Sequence, residues 1–223
     1  KGEPTAILVD FTSLIPRKDE ILKKLWETYH VDSISGQWDY IEPVLFGYAA
    51  GAVIASYVEN FCTATDKIAA HFHEWMTAAG GLYLRRHAPY VATLFTTHAT
   101  VMGRCIAGNH LPLYTDLTKF NADDLARQFN VVAKHSIEKA AAAYHDAFVT
   151  VSDITANECK FLLGREPDCI TPNGFENDFV WTGEEYDAKR AEARKTMISV
   201  AEACLGEKFA EEPLIVGTSG RYE

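Results

Sequence analysis

No uninterrupted apolar run in the sequence approaches the roughly 18 residues of a membrane span, so we expect no membrane-spanning segment. The opening stretch, KGEPTAILVD, lacks a basic region followed by a long apolar core, and nothing in it predicts a secretory signal. The chain also lacks internal repeats and low-complexity segments. We expect a folded, soluble protein.

Cysteine is present in a number and spacing that exclude its usual structural uses. The five cysteines are an odd number, and no two of them have Cys-x-x-Cys spacing. This argues against a disulfide framework and against a zinc site. We predict reduced thiols and a cytoplasmic location.

Positive charge is scarce. The chain has 21 Lys and Arg against 31 Asp and Glu, a formal net charge of −10. Nucleic acids and anionic membranes attract positive potential, so neither is expected as a partner. An anionic small substrate would still need a local basic pocket, and individual arginines are therefore candidates.

The apolar residues that are present form short, nearly continuous runs in a chain long enough for one main domain. Such runs suit strands buried on both faces of a parallel sheet. They are TAILVD (5–10), KIAAHF (67–72), YVATLF (90–95), AFVTV (147–151) and PLIVG (213–217). Helical patterns separate them, which predicts an α/β fold: a Rossmann-like parallel sheet with helices on both faces.

Apolar periodicity and capping residues predict the helices. They cover residues 17–30, 43–61, 131–146, 152–164 and 182–202, with Ser152 and Thr182 as N-caps and Gly164 as a C-terminal stop. Residues 107–121 predict a long loop. Ligands of parallel sheets bind beyond the carboxyl ends of the strands, so we expect the chemistry at the strand-to-helix elbows.

The segment HFHEW (71–75) ends the second predicted strand. His71 and His73 are two residues apart and point the same way on a strand, so they could hold a metal ion with Glu74 nearby. Alternatively, a histidine hydrogen-bonds at the sheet edge or lines a substrate site, and Glu74 lies in the first turn of the next helix. Local spacing identifies no third metal ligand.

The segment TTHAT (96–100) ends the third predicted strand. His98 could donate to a sugar hydroxyl, and helix N-terminal amides at this elbow would suit an anion. Arg104 follows six residues later, about 240° round a regular helix, so it shares a face with His98 only if the helix breaks. Either residue could be functional or structural.

Three further elbows carry weaker signals. Ser152 in TVSDITA (150–156) is either an N-cap or a ligand, and TPNG, with Asn173, indicates a turn. Arg221, in the terminal GRYE, follows the last predicted strand. A terminal arginine is usually a solvated charge.

In this order and separation, HFHEW, LFTTHAT, TVSDITA, TPNG and GRYE resemble glycogen (starch) synthases of the animal and fungal type, from about Thr5 to Glu223. The resemblance implies a retaining glucosyltransferase of the GT-B fold that uses UDP-glucose, extends the 4-hydroxyl of an α-glucan such as glycogen, and needs no cofactor or metal. The elbow pattern differs from that of bacterial ADP-glucose enzymes, which favours UDP-glucose.

The resemblance also implies roles for particular residues. His98 would act as the catalytic residue that contacts the transferred glucose, and Arg104 and Arg221 would stabilise the departing diphosphate. We assign the remaining candidates, His73, Glu74 and Asn173, to substrate binding.

The match is incomplete. The Gly-rich loop of the family would precede Lys1, and its second domain would barely have begun. We therefore assign residues 1–212 to the N-terminal Rossmann-like domain and residues 213–223 to the first strand of a truncated nucleotide-sugar domain. These residues are expected to be inactive alone, and the full-length protein could be a homo-oligomer.

Two alternatives remain open. One is a metal-dependent hydrolase that uses His71, His73 and His98. The other is a non-catalytic glucan-binding module on the same fold. Stoichiometric metal would favour the former. A longer reading frame that lacks the paired glutamates of the family's second domain would favour the latter.

Overall fold

The structure is a computed structural model that describes residues 3–174, 176, 180–210 and 213–217. The chain divides into two compact units, residues 1–173 and 174–223. The predicted domain boundary at residue 213 stays a prediction.

The first unit contains a parallel four-stranded sheet whose strands lie side by side in chain order. Its strands are β1 Ala69–His73, β2 Ala92–Thr97, β3 Ala147–Thr150 and β4 Cys169–Ile170. The helices of this unit are α1 Lys18–Tyr29, α2 Trp38–Phe61, α3 Ala78–His87, α4 Val101–Gly108, α5 Leu113–Asp116, α6 Ala122–Gln128, α7 Val132–Tyr144 and α8 Asp153–Glu158. Helices surround the parallel sheet, which confirms the predicted α/β, Rossmann-like fold.

The main core lies between the sheet and its helices. Phe72, Phe95 and Phe148 are buried in register across β1, β2 and β3 on one face of the sheet. Apolar residues of α3 and α7 belong to the same buried cluster. Ala69, His71 and His73, on alternate positions of β1, are exposed. Alternation along β1 therefore buries Phe72 and leaves His71 and His73 accessible.

Glycines allow α2 and α3 to pack with their backbones in close contact. A Cβ atom added to Gly51 would lie 2.5 Å from the carbonyl oxygen of Gly80, and one added to Gly80 would lie 2.7 Å from the carbonyl oxygen of Gly47. Such distances exclude a side chain unless a helix moves. Helix α3 in turn contacts β1 and β2.

By length and composition α2 is apolar enough to cross a membrane, so the expectation of no membrane-spanning segment stays a prediction for this helix. Polar residues interrupt its apolar stretch without lowering its mean hydropathy enough to exclude it. The core helix of a soluble protein passes the same test, and 33% of the most apolar window of α2 is buried in the structure.

Two predicted strands do not form among the described residues. Residues 5–10 and 213–217 have no strand hydrogen bonds, and Leu8 and Leu214 are 97% and 89% exposed. An apolar run favours a strand, but a strand also requires a neighbour to pair with.

The predicted loop 107–121 is wrong in part, because it contains the end of α4, all of α5 and a further short helical turn, Leu117–Lys119.

The predicted ends of two helices differ in outcome. The Ser152 hydroxyl accepts a hydrogen bond from the Thr155 N–H at the start of α8, and Gly164 is left-handed, with a φ of 75°, directly after the π-helical turn Cys159–Leu163. Both predictions are confirmed. In the second unit, α9 spans Gly183–Leu205, but the side chain of Thr182 makes no capping hydrogen bond. Thr182 is thus the N-cap residue, as predicted, but the capping box that its spacing from Glu185 predicts does not form its Thr182 hydrogen bond.

Candidate functional site

Three histidines lie together at the carboxyl ends of β1 and β2. The rings of His71 and His73 have centroids 4.0 Å apart, and the ring of His73 stacks on that of His98 at 5.4 Å. Parallel strands bring His73 and the elbow after β2 to one edge of the sheet, because His73 pairs with Thr96. We call His71, His73 and His98 the histidine row.

A direct contact links two members of this row. Nδ1 of His73 lies 3.1 Å from Nε2 of His98, so one ring donates a hydrogen bond to the other. The contact uses Nε2 of His98 whichever ring donates, and it leaves Nδ1 of His98 for a ligand. At the other end of the row, Nε2 of His71 lies 2.7 Å from the hydroxyl oxygen of Thr96.

The surroundings of His71 favour its neutral ring. Burial lowers the pKa of His71, and the nearby charges that His73 and His98 would carry when protonated lower it further. A neutral imidazole can both donate and accept, which suits contact with a sugar hydroxyl.

The described residues contain no group of three or more His, Cys, Asp or Glu side chains that could hold a metal ion. In the row, nitrogens of His73 and His98 point at each other instead of converging on a shared ion. The geometry therefore does not support the metal-dependent hydrolase alternative.

Glu74 links the end of β1 to the elbow after β2. Its backbone N–H donates to the Thr96 carbonyl at 2.8 Å, and its carboxylate accepts from the backbone N–H of His98, also at 2.8 Å. Its φ of 64° is left-handed, which is uncommon for a residue with a side chain. Helix α3 begins four residues later, at Ala78, so the expectation that Glu74 lies in the first helical turn is wrong. Its role in substrate binding stays a prediction.

A second carboxyl group lies behind the elbow, within the core. Glu138, on α7, is fully buried. Its Oε1 accepts from the Thr97 hydroxyl at 3.0 Å, and its Oε2 accepts from the Val101 N–H at 2.9 Å. Burial raises the pKa of Glu138 to about 8, and its hydrogen bonds oppose that rise. Hydrogen bonds to Glu138 thus join α7 to residues on both sides of His98, Thr97 and Val101.

Glu158, on α8, accepts a hydrogen bond from the Thr100 hydroxyl at 2.8 Å. That hydroxyl oxygen accepts from the Gly103 N–H at 2.9 Å and so caps α4. The N–H groups of Val101 and Gly103 are both bound within the protein. The expectation that N-terminal amides at this elbow suit an anion is therefore wrong for these two groups.

The structure places the other predicted residues as follows. Arg104 is exposed on α4, close enough to Glu158 for its charge to oppose the burial that raises the pKa of that carboxyl. His98 precedes the N-cap of α4, so a helical angle between His98 and Arg104 does not apply. Asn173 is exposed at the end of the first unit. Arg221 lies outside the described residues.

Sequence reasoning missed Glu138 and Glu158. Glu138 is a charged residue among the buried positions of the alanine-rich α7, whereas Thr155 and Glu158 are the buried residues of the short, partly exposed α8. A glutamate within an apolar helix face could have been recognised as a group that needs hydrogen-bond donors. The sequence gives no indication of which donors those are.

Residues 1–200 match the family model for glycogen synthase. The glycogen [starch] synthase of Dictyostelium discoideum is 30% identical over 227 residues, which cover 100% of this chain and 25% of that protein. Isoform 2 of Saccharomyces cerevisiae is 35% identical, and the liver protein of Rattus norvegicus 31% identical, each over 176 residues, or 78% of this chain and 24% of the relative. The chain spans about a quarter of the length of these curated relatives. It belongs to the glycogen synthase family.

Proposed function

We propose that the complete protein is a retaining glycosyltransferase that moves glucose from UDP-glucose to the 4-hydroxyl of an α-1,4-glucan end. The observation that carries this proposal is the match of residues 1–200 to the glycogen synthase family. The bond between the anomeric carbon and the UDP oxygen breaks, and UDP leaves with its electron pair. A bond to the acceptor oxygen forms, and the proton of the acceptor hydroxyl passes to the departing UDP.

In this proposal His98 contacts the transferred glucose. Its position at the carboxyl end of β2, where parallel sheets bind ligands, supports the assignment. Nδ1 of His98 is the ring nitrogen that the contact with His73 leaves for a sugar hydroxyl. His73 then helps to orient His98, and Glu74 fixes its backbone.

The charge that develops on UDP needs positive groups, which we assign to Arg104 and Arg221. The exposure of Arg104 is consistent with this role, and stabilisation of a leaving group is a large term in many enzymes. Asn173 is proposed as a further substrate contact. We also propose that the reaction needs no cofactor or metal and that the protein acts in the cytoplasm. The full-length protein is a candidate homo-oligomer, and residues 1–223 alone are proposed to be inactive.

The test is glucose transfer from UDP-glucose to glycogen by the complete encoded protein in the presence of a chelator. We expect transfer to persist with the chelator and to fall by about 100-fold or more in His98→Ala, a ΔΔG‡ of about 2.7 kcal/mol. His87→Ala, at an exposed histidine on α3, is the matched control and should retain wild-type transfer. No transfer from the wild type with either UDP-glucose or ADP-glucose would refute the proposal and favour a glucan-binding module.

A further inference from the structure

Glu138 has a position that the proposed chemistry alone does not explain. It is a carboxyl group without exposed surface, held on α7, and its two oxygens meet two sides of a loop that contains His98. Removal of a carboxyl group from water is costly, so a glutamate in a core needs specific donors to be tolerated. The donors here are Thr97 and Val101, on either side of His98.

We propose that Glu138 is a positioning residue for His98, which it places by binding the hydroxyl of Thr97 and the backbone N–H of Val101 at the same time. This inference rests on the proposed function of His98. Glu138 itself touches neither His98 nor, in this proposal, the substrate. It acts through the loop from residue 97 to 101.

The Thr97 hydroxyl and the Glu138 carboxyl group can be hydrogen-bonded in two alternative ways. The Thr97 hydroxyl has one hydrogen and two nearby acceptors, Oε1 of Glu138 at 3.0 Å and the Ala99 carbonyl at 3.4 Å. When Glu138 is ionised, Thr97 donates to the carboxylate. When Glu138 is neutral, its own O–H can donate to Thr97, and Thr97 is then free to donate to Ala99, the neighbour of His98.

The surroundings of Glu138 favour its neutral, protonated carboxyl group near pH 7. Burial is the main cause of its raised pKa, and the charges of Glu74 and Glu158 raise it further. The titratable groups that face Glu138 from the packed elements are Glu74 after β1, Glu158 at the end of α8, Cys159 in the π-helical turn that follows, and Cys105 on α4. We therefore expect the loop to be held through Ala99 at neutral pH and to lose that bond as Glu138 ionises.

The experiment compares kcat and KM for UDP-glucose across pH in the complete protein and in two variants. Glu138→Gln preserves an acceptor for Val101 and a donor for Thr97, so it should keep kcat within about threefold of wild type near pH 6. It cannot ionise, so the loss of activity that wild type shows near pH 8 should be absent. Glu138→Leu loses both bonds, and its kcat should fall by about tenfold or more with KM nearly unchanged.

Glu27→Gln, the same change at an exposed site on α1, is the control and should reproduce the wild-type profile. The proposal would be overturned if Glu138→Gln lost activity near pH 8 as wild type does. It would also be overturned if a folded Glu138→Leu kept the wild-type kcat. If Glu138→Leu does not fold, the pH profile of Glu138→Gln decides.

Amide hydrogen exchange of residues 97–103 separates this inference from the proposed function. Exchange should be faster in Glu138→Leu than in wild type and nearly unchanged in Glu138→Gln, because the Gln side chain still binds the Val101 N–H. If wild type transfers no glucose but this difference in exchange is found, the proposed function fails and the positioning of the loop stands. If exchange is the same in all three proteins, the positioning role is wrong whatever the activity.

Discussion

The Glu74 carboxylate accepts a 2.8 Å hydrogen bond from the backbone N–H of His98, which joins the residue after β1 to the residue after β2. Glu74 is held in a left-handed backbone conformation to do so. Conformations of this kind in residues with side chains persist where surrounding contacts maintain them. The arrangement indicates that the placement of His98 depends on a residue from the neighbouring strand.

Replacement of Glu74 should separate the effect of its hydrogen bond to His98 from the effect of its left-handed backbone conformation. Glu74→Ala and Glu74→Gly both lose the bond to His98, and we expect glucose transfer to fall by about tenfold in each. Glycine adopts a left-handed φ without steric cost, so Glu74→Gly should be more stable than Glu74→Ala by about 1 kcal/mol. Urea unfolding and transfer assays measure the two effects. Equal stability of the two variants would contradict the role assigned to φ, and Glu74→Gln is the control that retains an acceptor.

The buried histidines His135 and His145 should make the protein sensitive to acid. Burial lowers the pKa of each to about 4, whereas a histidine in the unfolded chain has a pKa of about 6.5. The unfolded state therefore binds more protons between these values, and stability falls as the pH is lowered from about 6.5 to 4.

Glu138 has the opposite effect. Its pKa is raised from 4.5 to about 8 in the folded state, so its contribution to stability is complete below pH 4.5 and is lost as the pH rises towards 8.

The variant His135→Gln isolates the effect of one buried histidine on stability. Between about pH 7 and 4.5 we expect the variant to lose roughly 2 kcal/mol less unfolding free energy than wild type. Parallel pH curves for the two proteins would show that His135 does not titrate as its burial implies.

The close packing of α2 on α3 predicts a large difference between two glycine substitutions. A Cβ at Gly51 would overlap the backbone of Gly80, so Gly51→Ala should destabilise the protein by about 1–3 kcal/mol. Gly108, the last residue of α4, has no atom within 4 Å of an added Cβ, and Gly108→Ala should be neutral or slightly stabilising. Urea unfolding of both variants tests the prediction, which fails if they unfold alike.

The cysteines should differ in reactivity by position. All five are free thiols, Cys169 and Cys204 are exposed, and Cys159 is buried. Burial also raises the pKa of Cys159, which further reduces its reactive thiolate. Brief alkylation followed by peptide mapping should label Cys169 and Cys204 first and leave Cys159 unlabelled until the protein is denatured. Labelling of native Cys159 at the rate of Cys169 would contradict its burial.

Local sequence was sufficient to predict β1, β2 and β3, because apolar runs favour strands. The expectation that such strands are buried on both faces is wrong for β1, whose residues alternate between exposed and buried. It also placed His98 at an elbow, since parallel strands share one carboxyl edge. β4, Cys169–Ile170, is two exposed residues long and carries no such pattern.

The buried polar contacts could not be predicted in the same way. The hydrogen bond from Val101 to Glu138 joins residues 37 positions apart, and that from Thr100 to Glu158 joins residues 58 apart. The sequence shows that such glutamates need partners, but the choice of partner is made by the packing of α7 and α8 against the elbow.

The order of the strands in the sheet bears on how the first unit could fold. β1, β2, β3 and β4 are neighbours both along the chain and in the sheet. As the polypeptide leaves the ribosome, each new strand finds its pairing edge on the strand made just before it, so the sheet can grow in the direction of synthesis. The elbow after β2 emerges before α7, however, and His98 would acquire its final support only when Glu138 has been translated and packed.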